Sequence, residues 1–168
     1  AVTTVANAFV MPSVSEALAA LDDRLKDEGW QPAVNVVRSD GGLMSTRAAA
    51  ERPVATIFSG PSGGVAGALA IARAAGIDNI LTFDMGGTST DVSVCVDGQA
   101  VVARETIVGE FPIRAASVDV RSIGAGGGSI AYVPETVRSL RVGPESAGAD
   151  PGPACYGGGG TEPTVTDA

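Results

Sequence analysis

The fold class this sequence predicts is α/β, and three observations predict it. Apolar residues make up 45% of the 168 positions and aromatic ones only 4%, so a core of Val, Ile, Leu and Ala is implied, with 23 glycines allowing backbones to approach closely. Two segments carry helical periodicity, and short Val- and Ile-rich runs ending in Gly-rich turns lie around them. Neither a disulfide scaffold nor a disordered composition fits, because Cys95 and Cys155 lack C-x-x-C spacing and the apolar fraction suffices for a core.

The first helix is read from "PSVSEALAALDDRLKDEG". Ser13 and Glu16 have the spacing of a capping box, Val14, Leu18, Leu21 and Leu25 recur at helical intervals, and Gly29 is placed to end the helix. Residues 33–37 read as a buried strand that enters a polar turn at Asp40-Gly41-Gly42. The second helix, "SGPSGGVAGALAIARAAG", would open at Pro61 or Ser62 and close at Gly76. It is apolar on nearly every face, which predicts burial on several sides. "NILTF" then reads as a strand, "DVSVCVDG" alternates Val92, Val94 and Val96 into an Asp97-Gly98 turn, and "QAVVARETIV" returns. Residues 80–108 therefore predict three antiparallel strands. "VDVRSIGAGGGSIAYV" sets a glycine loop between apolar runs, and the Gly/Pro-rich stretch from Gly143 on predicts a mobile loop or lid.

Charge and composition exclude several functions. Nineteen acidic against eleven basic residues give a net charge of −8, and the basic residues are scattered, so no stripe for nucleic acid exists. No uninterrupted apolar run is long enough to span a bilayer, so no membrane partner is expected and a cytoplasmic setting is the default. The absence of histidine excludes Ser-His-Asp and Cys-His catalysis and His-ligated zinc within this chain. Cys95 sits in an apolar strand pattern and reads as a reduced core residue. The chain opens without Met and stops at "TVTDA", which reads as an excised piece of a longer polypeptide.

The stretch that carries chemistry is "FDMGGTSTDVS", residues 83–93. Gly86 and Gly87 would turn the backbone with positive φ and bring N–H groups close to a ligand, and Thr88, Ser89 and Thr90 add hydroxyls in the same bend. Such an array of donors grips phosphate. Asp84 and Asp91 on either side would repel phosphate unless a hard divalent cation lies between, or unless one of them orients an attacking group; Mg²⁺ suits the former. The pattern is not a Walker A loop, since no Gly-Lys-Ser/Thr follows, nor a Rossmann fingerprint, since a strand rather than a helix comes next. The bland alternative is a tight hairpin with its hydroxyls in solvent.

Three other glycine clusters carry two readings each. Gly60, Ser62 and Gly63 would offer amides at a helix N-terminus to an anion, or serve helix packing. Gly126, Gly127 and Gly128 in "GAGGGS" would fit a nucleotide's ribose or diphosphate, or make a bulge between strands. Asp40 with Gly41 and Gly42 would face a ligand, or form a plain Asx turn.

"ILTFDMGGTSTDVSV" resembles the second phosphate loop of the actin-like ATPase superfamily, whose ribonuclease H-like fold opens its second lobe with such a D-x-G-G-T-x-x-D hairpin. "SGPSGGVAGALAIARAAG" is similar to the helix between the lobes. More narrowly, "TTVANAFVMP", "VRSDGGLMS", "SGPSGGV", "FDMGGTSTDVS", "SIGAGGGSIA" and "GPESAGADPGPACYGGGGTEPTVTDA" together resemble the hydantoinase A/5-oxoprolinase family, to which acetone carboxylase β subunits also belong. The resemblance covers essentially the whole chain.

It implies that residues 1–76 end the first lobe and 77–168 begin the second. It implies an ATP- and Mg²⁺-dependent hydrolase that phosphorylates the oxygen of a cyclic amide, a hydantoin or 5-oxoproline, before ring opening. Gly86 to Thr90, with Gly60, Ser62, Gly63 and Gly126 to Gly128, would bind the nucleotide, and Asp84 and Asp91 would hold the metal and serve catalysis. A B-type hydantoinase subunit or domain is the implied partner. Acetone-type carboxylation and an actin- or Hsp70-like switch are the alternatives. Only one D-x-G-G-T occurs, so residues 1–168 alone would hold half a site and little catalysis.

Overall fold

The computed structural model describes residues 1–168 and is α/β, with three α-helices and twelve short strands. In chain order these are α1 (Val2–Asp27), β1 (Asn35–Val37), β2 (Leu43–Ser45), α2 (Thr46–Glu51), α3 (Ser59–Ala74), β3 (Ile80–Met85), β4 (Thr90–Val96), β5 (Gln99–Ala100), β6 (Val102–Ala103), β7 (Thr106–Val108), β8 (Phe111–Ile113), β9 (Ser117–Val118), β10 (Val120–Ile123), β11 (Ser129–Tyr132) and β12 (Arg141–Ser146). Two compact units divide the chain: residues 1–80 with 93–119, and residues 81–92 with 120–168.

In the first unit, α1 starts at Val2 and not at the Ser13–Glu16 pattern, running straight through Pro12. The missing Pro12 N–H costs one helical bond, and tertiary contacts keep the early turns in place. Asn7 accepts the Val54 N–H at 3.1 Å and donates to the Glu51 carbonyl, Ser15 donates to Ala50, and Asp22 accepts the Thr46 hydroxyl at 2.8 Å. By length and composition α1 could cross a bilayer, contrary to the reading of the sequence in uninterrupted runs. Its polar side chains instead clasp α2 and the 3-10 turn Pro53–Thr56. Gly29 ends the helix as expected: at φ +82° it lets Trp30 donate back to Leu25 at 2.8 Å.

α3 ends in the same way, with Gly76 at φ +72° and the Ile77 N–H on Ala72. It begins at Ser59, two residues before Pro61. Only one stripe, Ser62, Val65, Leu69 and Ala72, is buried, while Ile71 is 74% exposed, so the helix is not enclosed on several sides in this chain. The core of the unit joins that stripe with Ala49, Val54, Cys95, Ile113 and Val118. Burial raises the Cys95 thiol pKa, as befits a core residue.

The strand expected over 33–37 is reduced to β1, which pairs antiparallel with β2, Val36 facing Met44. The expected three-stranded meander over 80–108 is also corrected. Only Gln99 and Ala100 return along β4, after which β6 pairs with β9 and β7 with β8. Three short pairings replace one long strand, as half-buried Ala103 and Thr106 pair with the buried Ser117 and Ile113 in turn.

The second unit holds the start of β4 between β3 and β10. Beside them, β11 and β12 pair antiparallel with a register shift between Ser129 and Ala131. The Gly/Pro-rich stretch after Gly143 is not a loose lid. Ala131 takes the Pro163 carbonyl at 2.8 Å, Ile130 bridges Thr164, Ala147 donates to Gly128, and Thr166 donates to Gly127.

Candidate functional site

Strand β3 delivers Asp84 and Met85 to an exposed end, and β4 leaves with Thr90 buried and Asp91 half-buried. The turn between them closes on one bond, from the Gly86 N–H to the Ser89 carbonyl at 2.8 Å. Neither Gly86 nor Gly87 sits at positive φ, so the expectation that they are needed for a left-handed turn is wrong. A Cβ on Gly87 would meet nothing of the protein within 4 Å.

The N–H groups of Gly87 and Thr88 find no acceptor in the chain. Their own peptides are nevertheless fixed from the opposite side. The Gly127 N–H donates to the Gly86 carbonyl at 2.8 Å, and the Gly128 N–H donates to the Gly87 carbonyl at 2.7 Å. Both peptides are trans, since the cis bonds of the chain are Gly143-Pro144 and Asp150-Pro151. In a planar trans peptide the N–H points opposite the C=O. The two free donors therefore point away from the glycine loop, side by side, toward solvent. Two neighbouring amides so exposed could donate together to a small anion.

The glycine loop can hold the turn only because it lacks side chains. A Cβ on Gly126 would stand 2.6 Å from the Gly86 oxygen and 2.7 Å from the Ser89 nitrogen, and one on Gly128 would stand 2.9 Å from the Gly87 oxygen. The amides of Gly126, Gly127 and Gly128 are all engaged, the first on the Ser129 hydroxyl at 2.9 Å. Thr90 is turned inward, its hydroxyl donating to Ala125 at 2.6 Å, while Thr88 is exposed. Asp91 accepts the Ser122 hydroxyl at 2.5 Å, a partner the sequence did not suggest. No group of three or more Asp, Glu, Cys or His residues that could hold a metal ion occurs in the chain.

Gly60, Ser62 and Gly63 belong to the first unit. Ser62 is fully buried and donates to the Ser39 carbonyl at 2.6 Å, Gly63 packs on Val37, and Gly60 is exposed. Asp40 makes the Asx turn, accepting the Gly42 N–H at 3.0 Å and pairing with Arg38. Among residues the sequence left without a role, Asp167 is the most connected. Its carboxylate accepts from the backbone of Ala154, Cys155 and Thr164 and from the Thr164 hydroxyl. The Cys155 thiol, then these donors, hold the Asp167 carboxyl well below the usual carboxylate range, and the same carboxylate raises the thiol.

The chain is thus α/β, with an outward-facing pair of amides between two aspartates. The hydantoinase/oxoprolinase family model matches residues 1–168, and this chain belongs to that family. It is 41% identical, over 99% of its length, to the caprolactamase subunit alpha of Pseudomonas jessenii, of which it covers 24%. The crystal structure of ATP-dependent caprolactamase from that organism superposes with a TM-score of 0.80 at 39% identity, over 98% of this chain and 24% of that one. The 5-oxoprolinase 1 of Arabidopsis thaliana is 38% identical over 99% of this chain and 13% of its own length. A nucleotide-free acetone carboxylase structure, from a study of ATP-dependent acetone carboxylation, matches with a TM-score of 0.72 at 30% identity, over 91% of this chain and 21% of that one. The chain thus spans about a quarter or less of these relatives.

Proposed function

We propose that these residues form part of an ATP-dependent enzyme that activates a cyclic amide by phosphorylating its oxygen before ring opening. The observation that carries the reading is the pair of unbonded, aimed N–H groups at Gly87 and Thr88, with open space over Gly87. Names and structures of relatives, ATP-dependent caprolactamase and 5-oxoprolinase among them, support it. In this reading residues 1–76 close the first lobe of an actin-like fold and 77–168 open the second, and the remaining half of the site lies outside residues 1–168.

ATP would supply the phosphoryl group that turns a poor leaving oxygen into a good one. The chain's own residues would do the positioning on which phosphoryl transfer depends. The Gly87 and Thr88 N–H groups and the exposed Thr88 hydroxyl would donate to phosphate oxygens. Asp84, at the end of β3, would face the water shell of Mg²⁺, and Asp91, oriented by Ser122, would flank it. Two carboxylates without a third ligand suit a magnesium ion held mainly by phosphate and water. A B-type subunit or domain would complete the cytoplasmic enzyme, and residues 1–168 alone would turn over little substrate.

The test follows phosphate release from Mg·ATP by the full-length polypeptide with any partner subunit. Stimulation by 5-oxoproline, hydantoin or caprolactam, reduced about 100-fold in Asp84→Asn, is the expected result. Stimulation by acetone with bicarbonate alone would favour the carboxylase reading, which the acetone carboxylase match supports. Turnover indifferent to every small molecule would overturn both in favour of a nucleotide switch.

A further inference from the structure

The two free amides of the hairpin are the ends of two hydrogen-bond chains. One starts at the Ser129 N–H, which donates to Gly126 at 3.0 Å; the peptide of that carbonyl carries the Gly127 N–H on Gly86, whose peptide carries the free Gly87 N–H. The other starts at Thr166. Its N–H at 2.9 Å and its hydroxyl at 2.8 Å donate to the same Gly127 carbonyl. That peptide carries the Gly128 N–H on Gly87, whose peptide carries the free Thr88 N–H. Bonds in series polarise one another and fix each peptide plane.

Thr166 is itself set by its neighbours. It lies in the 3-10 turn Val165–Asp167, closed by a capping box between Thr164 and Asp167. Asp167 ties that turn to Ala154 and Cys155. Nothing in the segment touches the free amides directly, yet its bonds converge on the peptide that aims one of them.

We propose that Thr166 is a positioning residue of the phosphate site, acting through Gly127 and Gly128 on the peptide that presents the Thr88 N–H. The stretch the sequence presents as a lid is a buttress. This inference rests on the hairpin being a nucleotide site, and it adds a residue far along the chain on which phosphate affinity depends.

The test measures Mg·ADP affinity in the full-length polypeptide for wild type, Thr166→Val and Thr166→Ser, with thermal melting and hydrogen exchange alongside. Thr166→Val keeps the side-chain shape and loses one donor to Gly127. The expected result is a three- to ten-fold weaker Kd, about the worth of one hydrogen bond. Melting should be nearly unchanged, exchange should quicken at Gly127 and Gly128 but not in β12, and Thr166→Ser should restore the affinity. Wild-type binding with an unaltered Kd in Thr166→Val would overturn the positioning role and leave the nucleotide reading standing. A lowered melting temperature with no recovery in Thr166→Ser would make Thr166 a structural residue only. No binding of Mg·ADP by the wild type would overturn the nucleotide reading and this inference with it.

Discussion

Two turns in this chain are written almost alike, Asp40-Gly41-Gly42 after β1 and Asp84-Met85-Gly86-Gly87 at the end of β3, and the structure uses them in opposite ways. At the first, both glycine donors are engaged locally. The Gly41 N–H donates to Arg38 at 2.9 Å, the Gly42 N–H to the Asp40 carboxylate, and the Arg38 N–H to Gly42. Gly41 sits at φ +84°, so glycine is required there by the backbone itself. At the second, neither glycine is at positive φ, the carbonyls are held from behind, and the N–H groups of Gly87 and Thr88 are left without acceptors. The first turn closes on itself; the second leaves two donors facing solvent. Which donors a glycine turn can offer to a ligand is thus decided by which of its peptide groups the rest of the chain already satisfies.

This comparison can be broken most sharply at Gly87. The Cβ of a valine there meets nothing of the protein within 4 Å, so melting should stay within a few degrees while phosphate release from Mg·ATP falls by about 100-fold or more. Equal loss of stability and turnover would show that Gly87 serves the fold. Gly41→Ala should behave in the reverse manner. Its Cβ would only touch Val118 at 3.9 Å, but the left-handed backbone would cost about 1–2 kcal/mol in urea unfolding, with nucleotide affinity unchanged.

The smallest effect concerns Asp167, whose carboxyl is held low in the folded state. A depressed pKa contributes stability above the unfolded value of about 3.9, and that contribution is lost as pH falls below it toward the folded value. Wild type should therefore be the more stable at pH 7, and the difference from Asp167→Asn should shrink at pH 3. A difference independent of pH would assign the effect to shape rather than charge.

Much of the fold was legible locally. The ends of α1 and α3 followed from Gly29 and Gly76, and the β1–β2 turn followed from Asp40, because each depends on neighbours in sequence. The start of α1 was not legible, since Asn7 and Ser15 hold it through bonds to residues 50–54. The hairpin at 84–91 stood out as a candidate site from its residue types alone. Its supports did not. Ser122 and Thr166 are ordinary residues until folding sets them against Asp91 and Gly127, and "GAGGGS" offers no sign that its amides face another glycine turn.

The sequence by itself determined the α/β class, the family and the glycine-rich hairpin between two aspartates, because composition, periodicity and motif spacing are local properties. Only the tertiary structure decided which N–H groups remain free. A donor is free or engaged according to what distant segments bring to it, and here residues 126–128, themselves held by Thr166, satisfy the hairpin from one side and leave the other side open.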